Sequence, residues 1–173
     1  MRIESWVGVT VSVVLLCGSA TSADERECRR STLPANVEFF SDLNRVVQRI
    51  YDRSPTFRSQ CERIAKASNL CVRVYLNTRI PPAYRALTVV YRQGIEIQAD
   101  VNVPPGSHLA EMIGHEFEHV LEQVEGINLQ RLSTVRGSGV WAVEKHLFES
   151  IRAQDAGKIV GLEAYRNRAR ATD

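Results

Sequence analysis

The chain has 173 residues, of which 44% are hydrophobic and 24% charged, with a formal net charge of +2. This composition excludes a disordered chain, a collagen-like fibre and a polytopic membrane protein. A balance so close to neutral supplies no long-range field for gripping a nucleic-acid backbone, so no nucleic-acid partner is expected.

Residues 1–23 read as a signal peptide. Arg2 precedes the apolar run Trp6 to Cys17, which is followed by small residues with cleavage after Ala23 or Ala20. The run is shorter than the roughly 20 residues of a membrane span. Cleavage predicts an exported protein, periplasmic or secreted, and retention of the same segment would make it a membrane anchor. Cys17 leaves with the signal, and Cys28, Cys61 and Cys71 remain in a compartment that permits oxidation. An odd count leaves one thiol over. The connection between Cys61 and Cys71 is short, so these two form the candidate disulfide, with Cys28 paired to either as the rival.

Residues 24–36 form a polar leader, and residues 37–173 form one domain. Glu38 to Tyr51 has helical spacing of Phe39, Phe40, Leu43, Val46, Val47 and Ile50. Ser54-Pro55 gives an N-cap and a first-turn proline for a second helix. Leu70 to Leu76 alternates as a half-buried strand. Ala86 to Arg92 and Ile95 to Val101 form a hairpin joined at Gln93-Gly94. Ser107 is expected to cap a helix from about His108 to Glu125, stopped by Gly126. Residues 127–140 are ambiguous, and a last helix is expected from somewhere in residues 141–148 to about Arg168.

The chemistry lies in His115-Glu116-Phe117-Glu118-His119. Two histidines four residues apart project from one helix face, so both imidazoles can reach a single Zn2+ ion, and Glu116 lies where it can take a proton from a zinc-activated water. A catalytic zinc needs a third protein ligand and an open fourth position. Glu122 shares the histidine face but lies seven residues, roughly 10 Å, along the axis from His115, so it is not expected to ligate the same ion. The third ligand should come from another element. Glu149, placed on the last helix, is the best candidate, because Ala153, Ala156 and Gly157 would let that helix approach closely, with Glu144 and His146 as rivals.

Residues 51–163 resemble small bacterial exported proteins carrying a gluzincin-type zinc site. The resemblance is carried by Arg53-Ser54-Pro55-Thr56-Phe57-Arg58, by His115 to Glu122 against an HELxHAxE pattern, and by Glu149 to Gly157 against ETxxAxxAG. Phe117 replaces the pattern's Leu, Ser150 replaces its Thr, and residues 136–147 do not align. The resemblance implies Glu149 as third ligand. It also implies an α+β, zincin-like fold, with a small antiparallel or mixed sheet packed on the HExxH helix and a C-terminal helix supplying a ligand.

The expected function is an exported zinc metallopeptidase acting on peptide or protein substrates, with one zinc ion and Glu116 as general base. By analogy with zincins, Ile95 to Val101 would be the edge strand that pairs with an extended substrate. Arg166, Arg168, Arg170 and Lys158 allow a weak membrane or envelope association. The alternative is a zinc-stabilised, non-catalytic binding or structural module at the envelope.

Overall fold

A strand, not a helix, begins the domain: β1 (Val37–Phe39) lies where helical periodicity reads equally well. The computed structural model describes residues 33–40, 43–81 and 83–166. The expected signal peptide, most of the leader, Cys17, Cys28, Arg168 and Arg170 lie outside these residues. Phe39 fits a helical stripe with Leu43 as well as a strand alternation with Val37, and parallel pairing of Val37 with Val72 and of Phe39 with Val74 decides for the strand.

The helix α1 (Leu43–Arg53) follows and buries Leu43, Val47 and Ile50. Next, α2 (Pro55–Ala65) starts as its sequence dictates, with Ser54 Oγ accepting from the Phe57 amide at 3.0 Å. Such a cap is worth about 1 kcal/mol. Strand β2 (Leu70–Leu76) has the expected bounds. The hairpin of β3 (Leu87–Gln93) and β4 (Glu96–Val103) turns through Gly94-Ile95, which leaves Ile95 exposed outside the strand.

These four strands form one mixed sheet in the order β1-β2-β4-β3, with β2 parallel to β1 and β4, and β3 antiparallel to β4. The expectation that Ile95 to Val101 is an edge strand is therefore corrected. Strand β4 is hydrogen-bonded on both sides, and β3 is the edge next to it.

Helix α3 (Leu109–Val124) begins one residue later than expected, with His108 as an N-cap that makes no side-chain capping bond, so Ser107 is not the cap. It ends at Gly126, whose φ of +72° is the left-handed conformation that glycine adopts without a Cβ penalty. The sheet presents Val72, Val74, Ala99, Val101 and Val103 to the core, where Phe117 of α3 packs against Phe57 at a centroid distance of 5.2 Å. Almost every α3 side chain is buried, because the sheet covers one side and helices the other.

A short α4 (Leu129–Leu132) leads to a second, two-stranded sheet of β5 (Val140–Glu144) and β6 (Leu147–Ser150), and α5 (Ile151–Tyr165) closes the described chain. The last helix thus starts later than expected, and Glu149 sits on a strand. Gly139, at φ +75°, separates this hairpin from the preceding turn. The result is an α+β architecture with a small mixed sheet. Among the described residues, no helix is long and apolar enough to cross a membrane.

Helices α3 and α5 touch through glycines. A Cβ on Gly157 would lie 2.7 Å from the Glu111 carbonyl oxygen and 2.8 Å from His115 Cβ, and one on Gly114 would lie 2.7 Å from Val160. Gly157→Ala is therefore expected to force the helices apart and to destabilise the metal-free protein by about 1–3 kcal/mol in denaturant unfolding. An unchanged midpoint would show that the contact is looser than described.

The expected Cys61–Cys71 bridge is not formed. Cys61 is a free, buried thiol of α2, whereas Cys71 is disulfide-bonded. Burial first, and the nearby Glu62 charge second, push the Cys61 thiol up to about 12, so it holds no thiolate at neutral pH. In native protein, iodoacetamide should label neither cysteine. Unfolding without reductant should expose Cys61 alone, and reductant should add Cys71. Rapid labelling of Cys61 in the native state would contradict its burial.

Candidate metal centre

The three predicted ligands come together from two elements. His115 and His119 stand one turn apart on α3, with ring centroids 4.8 Å apart, and Glu149 reaches them from β6. The His115 and His119 Nε2 atoms are 3.2 Å apart. Glu149 Oε1 lies 3.3 Å from His119 Nε2, and its Oε2 lies 3.4 Å from His115 Nε2. Donors arranged tetrahedrally at 2.0–2.2 Å from one ion are separated by roughly 3.3–3.6 Å, so the spacing fits a single small cation. Oε2 of Glu149 is also buried without a hydrogen-bond partner, as a ligand oxygen awaiting a cation would be. This group can hold a metal ion.

The histidine ring is oriented from behind. Glu122 Oε2 sits 2.6 Å from His119 Nδ1, which holds a proton on Nδ1 and turns Nε2 toward the cluster. Glu122 is thus buried and does not join the ligand group, in agreement with its distance along the helix. Its other oxygen accepts from Ser150 Oγ at 2.7 Å. The Ser150 amide donates to Glu149 Oε1 at 2.8 Å, which fixes the carboxylate that supplies the third donor.

Charge and burial oppose each other here. Burial lowers the His119 pKa, but its bonds to Glu122 and Glu149 outweigh that and bring it up to about 9. Burial raises Glu149, yet the adjoining His115 and His119 rings outweigh that and hold it down at about 2. Glu116 is fully buried and shifts upward, because desolvation exceeds the attraction of the two histidines and the bond from Thr88. Thr88 Oγ1 donates to Glu116 Oε2 at 2.6 Å, and Glu116 Oε1 has no partner. His119 and Glu149 are fully buried, while the His115 side chain keeps 13% exposure, so the cluster meets solvent past His115.

The rival ligands lie elsewhere. Glu144 accepts from Tyr84 at 2.6 Å, and His146 is exposed at the turn of the β5–β6 hairpin. Arg152 is engaged outside the cluster, where Glu118 accepts from its Nε at 2.7 Å and Glu125 from its Nη1 at 2.7 Å. Gln60 and Arg63 of α2 complete that network on Glu118, at 2.8 and 3.3 Å. Thr88 was not anticipated, and nothing in a strand pattern marks one threonine as the partner of a helix carboxylate. Ser150 carries a legible signal, an N-cap hydroxyl three residues before the Ala153 amide it receives at 3.0 Å.

Glu149→Ala is expected to weaken divalent-metal binding beyond the roughly 10–100-fold loss typical of removing an outer hydrogen-bond partner. Glu144→Ala should leave it unchanged. Isothermal titration with metal checks both, and unaltered affinity in Glu149→Ala would remove it from the ligand set. Compared with protein-family models, curated proteins and solved structures, the chain matches none.

Proposed function

We propose that the protein is an exported zinc metallopeptidase with a zincin-like fold, in which His115, His119 and Glu149 hold one zinc ion and Glu116 is the general base. The observation that carries this reading is the carboxylate of Glu116. It is fully buried beside the donor group, one oxygen is held by Thr88, and the other has no partner. Burying an unsatisfied carboxylate oxygen is costly, and a metal site that served only folding would gain nothing from it. Structural zinc sites are closed by four protein ligands, whereas three protein donors leave a position open. Two imidazoles and one carboxylate also favour zinc over calcium or magnesium, which prefer oxygen ligands.

When bound, zinc supplies Lewis-acid polarisation of a carbonyl and lowers the pKa of water. Glu116 Oε1 accepts the proton of the attacking water, while Thr88 keeps Oε2 in place. The water oxygen bonds to the acyl carbon, and Glu116 returns the proton to the leaving nitrogen as the C–N bond breaks. An extended peptide can be aligned by adding to the edge of β3, the strand that carries Thr88. The disulfide at Cys71 supports export, since such bonds persist in oxidising compartments.

Glu116→Gln is expected to retain stoichiometric zinc and to lose about 10²–10⁴-fold in kcat on a fluorogenic peptide library. Full activity in that variant would refute the assigned base. Failure of the zinc-loaded wild type to cleave any peptide would favour a non-catalytic, zinc-stabilised module.

A further inference from the structure

We infer that Ser150 is a positioning residue that couples metal occupancy to the docking of α5. This rests on the metal site proposed above. One buried hydroxyl serves both sides: Ser150 Oγ accepts from the Ala153 amide at 3.0 Å, capping α5, and donates its single proton to Glu122 Oε1 at 2.7 Å. Glu122 passes that restraint to His119 Nδ1 at 2.6 Å, and the Ser150 amide holds Glu149 Oε1 at 2.8 Å. The same residue therefore fixes one ligand through its side chain and another through its backbone. Ser150, Glu122, His119 and Glu149 are each at most 2% exposed, so water cannot substitute for a lost partner without entering the core.

The hydroxyl has both roles only while α5 starts at Ile151. If the first turn of α5 unwinds, the Ser150 backbone moves, Glu149 loses its amide donor, and Glu122 loses the proton that orients it on His119. Ordering of His119, of Glu149 and of the α5 first turn is consequently one event. A cation that holds His119 and Glu149 together tightens the cap, and the cap in turn raises affinity for the cation.

The test measures zinc affinity by chelator competition in the full chain, together with hydrogen exchange of the α5 first-turn amides with and without zinc. Wild type should bind zinc and show zinc-dependent protection there. Ser150→Val should lose about 10–100-fold in affinity and lose that coupling, while Ser150→Thr, with the same branched shape and a hydroxyl, should restore both. Val37→Ala controls for an ordinary loss of stability: it truncates a buried core side chain on the edge strand β1, lowers stability and should leave zinc affinity unchanged. Equal affinity of Ser150→Val and Ser150→Thr would overturn the inference, as would equal weakening by Val37→Ala. Absence of zinc binding by folded wild type would overturn the metal site itself. Zinc binding without altered exchange at α5 would leave that site standing and reject the coupling.

Discussion

Where α5 crosses α3, the absence of a side chain on Gly157 decides how near the two helices lie. The space for a Cβ there is already taken by the Glu111 carbonyl and by His115 Cβ itself, so the backbone of α5 rests directly on the residue that presents the first imidazole. Gly161 against Glu111 and Gly114 against Val160 repeat the contact along the pair. The seam has a further tie at its far end, where Glu163 of α5 accepts from Ser54 Oγ at 2.6 Å and from the Thr56 amide at 3.1 Å, joining α5 to the start of α2. With both ends of α5 held, the β6 residues just before it have little freedom relative to α3. The relative position of Glu149 and the two histidines follows from this packing.

Close packing creates an electrostatic problem that α3 solves in two different ways. It carries Glu116, Glu118 and Glu122 into the interior, and isolated buried carboxylates are strongly disfavoured. On one side, Glu118 meets Arg152, Arg63 and Gln60, which tie α5 and α2 to α3. On the other side, Glu116, Glu122 and Glu149 meet hydroxyls, a backbone amide and imidazoles, and two oxygens are left over. In the first cluster the Glu118 charge is met by two guanidinium groups. The second has surplus carboxylates, an orphaned Glu149 oxygen and donor atoms at spacings suited to one cation, which is why the same helix can be both a packing element and a metal platform.

The parts of this arrangement that were legible in the sequence are those specified locally. Ser54-Pro55 is a cap and a fixed φ at one helix start, Leu70 to Leu76 has an unambiguous alternation, and His115 and His119 share a face by helical geometry alone. What was not legible depends on contacts distant in sequence. Phe39 fits a helix until Val74 is placed beside it, and residues 140–150 form a hairpin because Val140 pairs with Ser150 and Trp141 with Glu149. The order of β3 and β4 is likewise invisible to periodicity, since both have buried positions and only the parallel partner β2 makes β4 internal. Cysteine spacing failed for a related reason: Cys61 points into the core from α2, whereas Cys71 alternates with the core-facing Leu70 and Val72 and so projects from the other face of β2.

Placing Glu149 on a strand instead of a helix changes how the ligand is controlled. In a helix its direction would be set by rotation about the helix axis, and any shift of α5 would swing it. On β6 the ladder to Trp141 fixes its backbone from one side, and the Ser150 cap fixes it from the other. The carboxylate also stands immediately before the first turn of α5, where the exposed amide ends of the helix favour negative charge. Its bond from the Ser150 amide belongs to that favourable field. With His115 and His119 holding its pKa down, Glu149 can remain ionised in a fully buried position without a neighbouring arginine, whose bidentate guanidinium would occupy the oxygens a metal needs. The strand-to-helix junction supplies a buried anionic donor and keeps its outward lone pairs free.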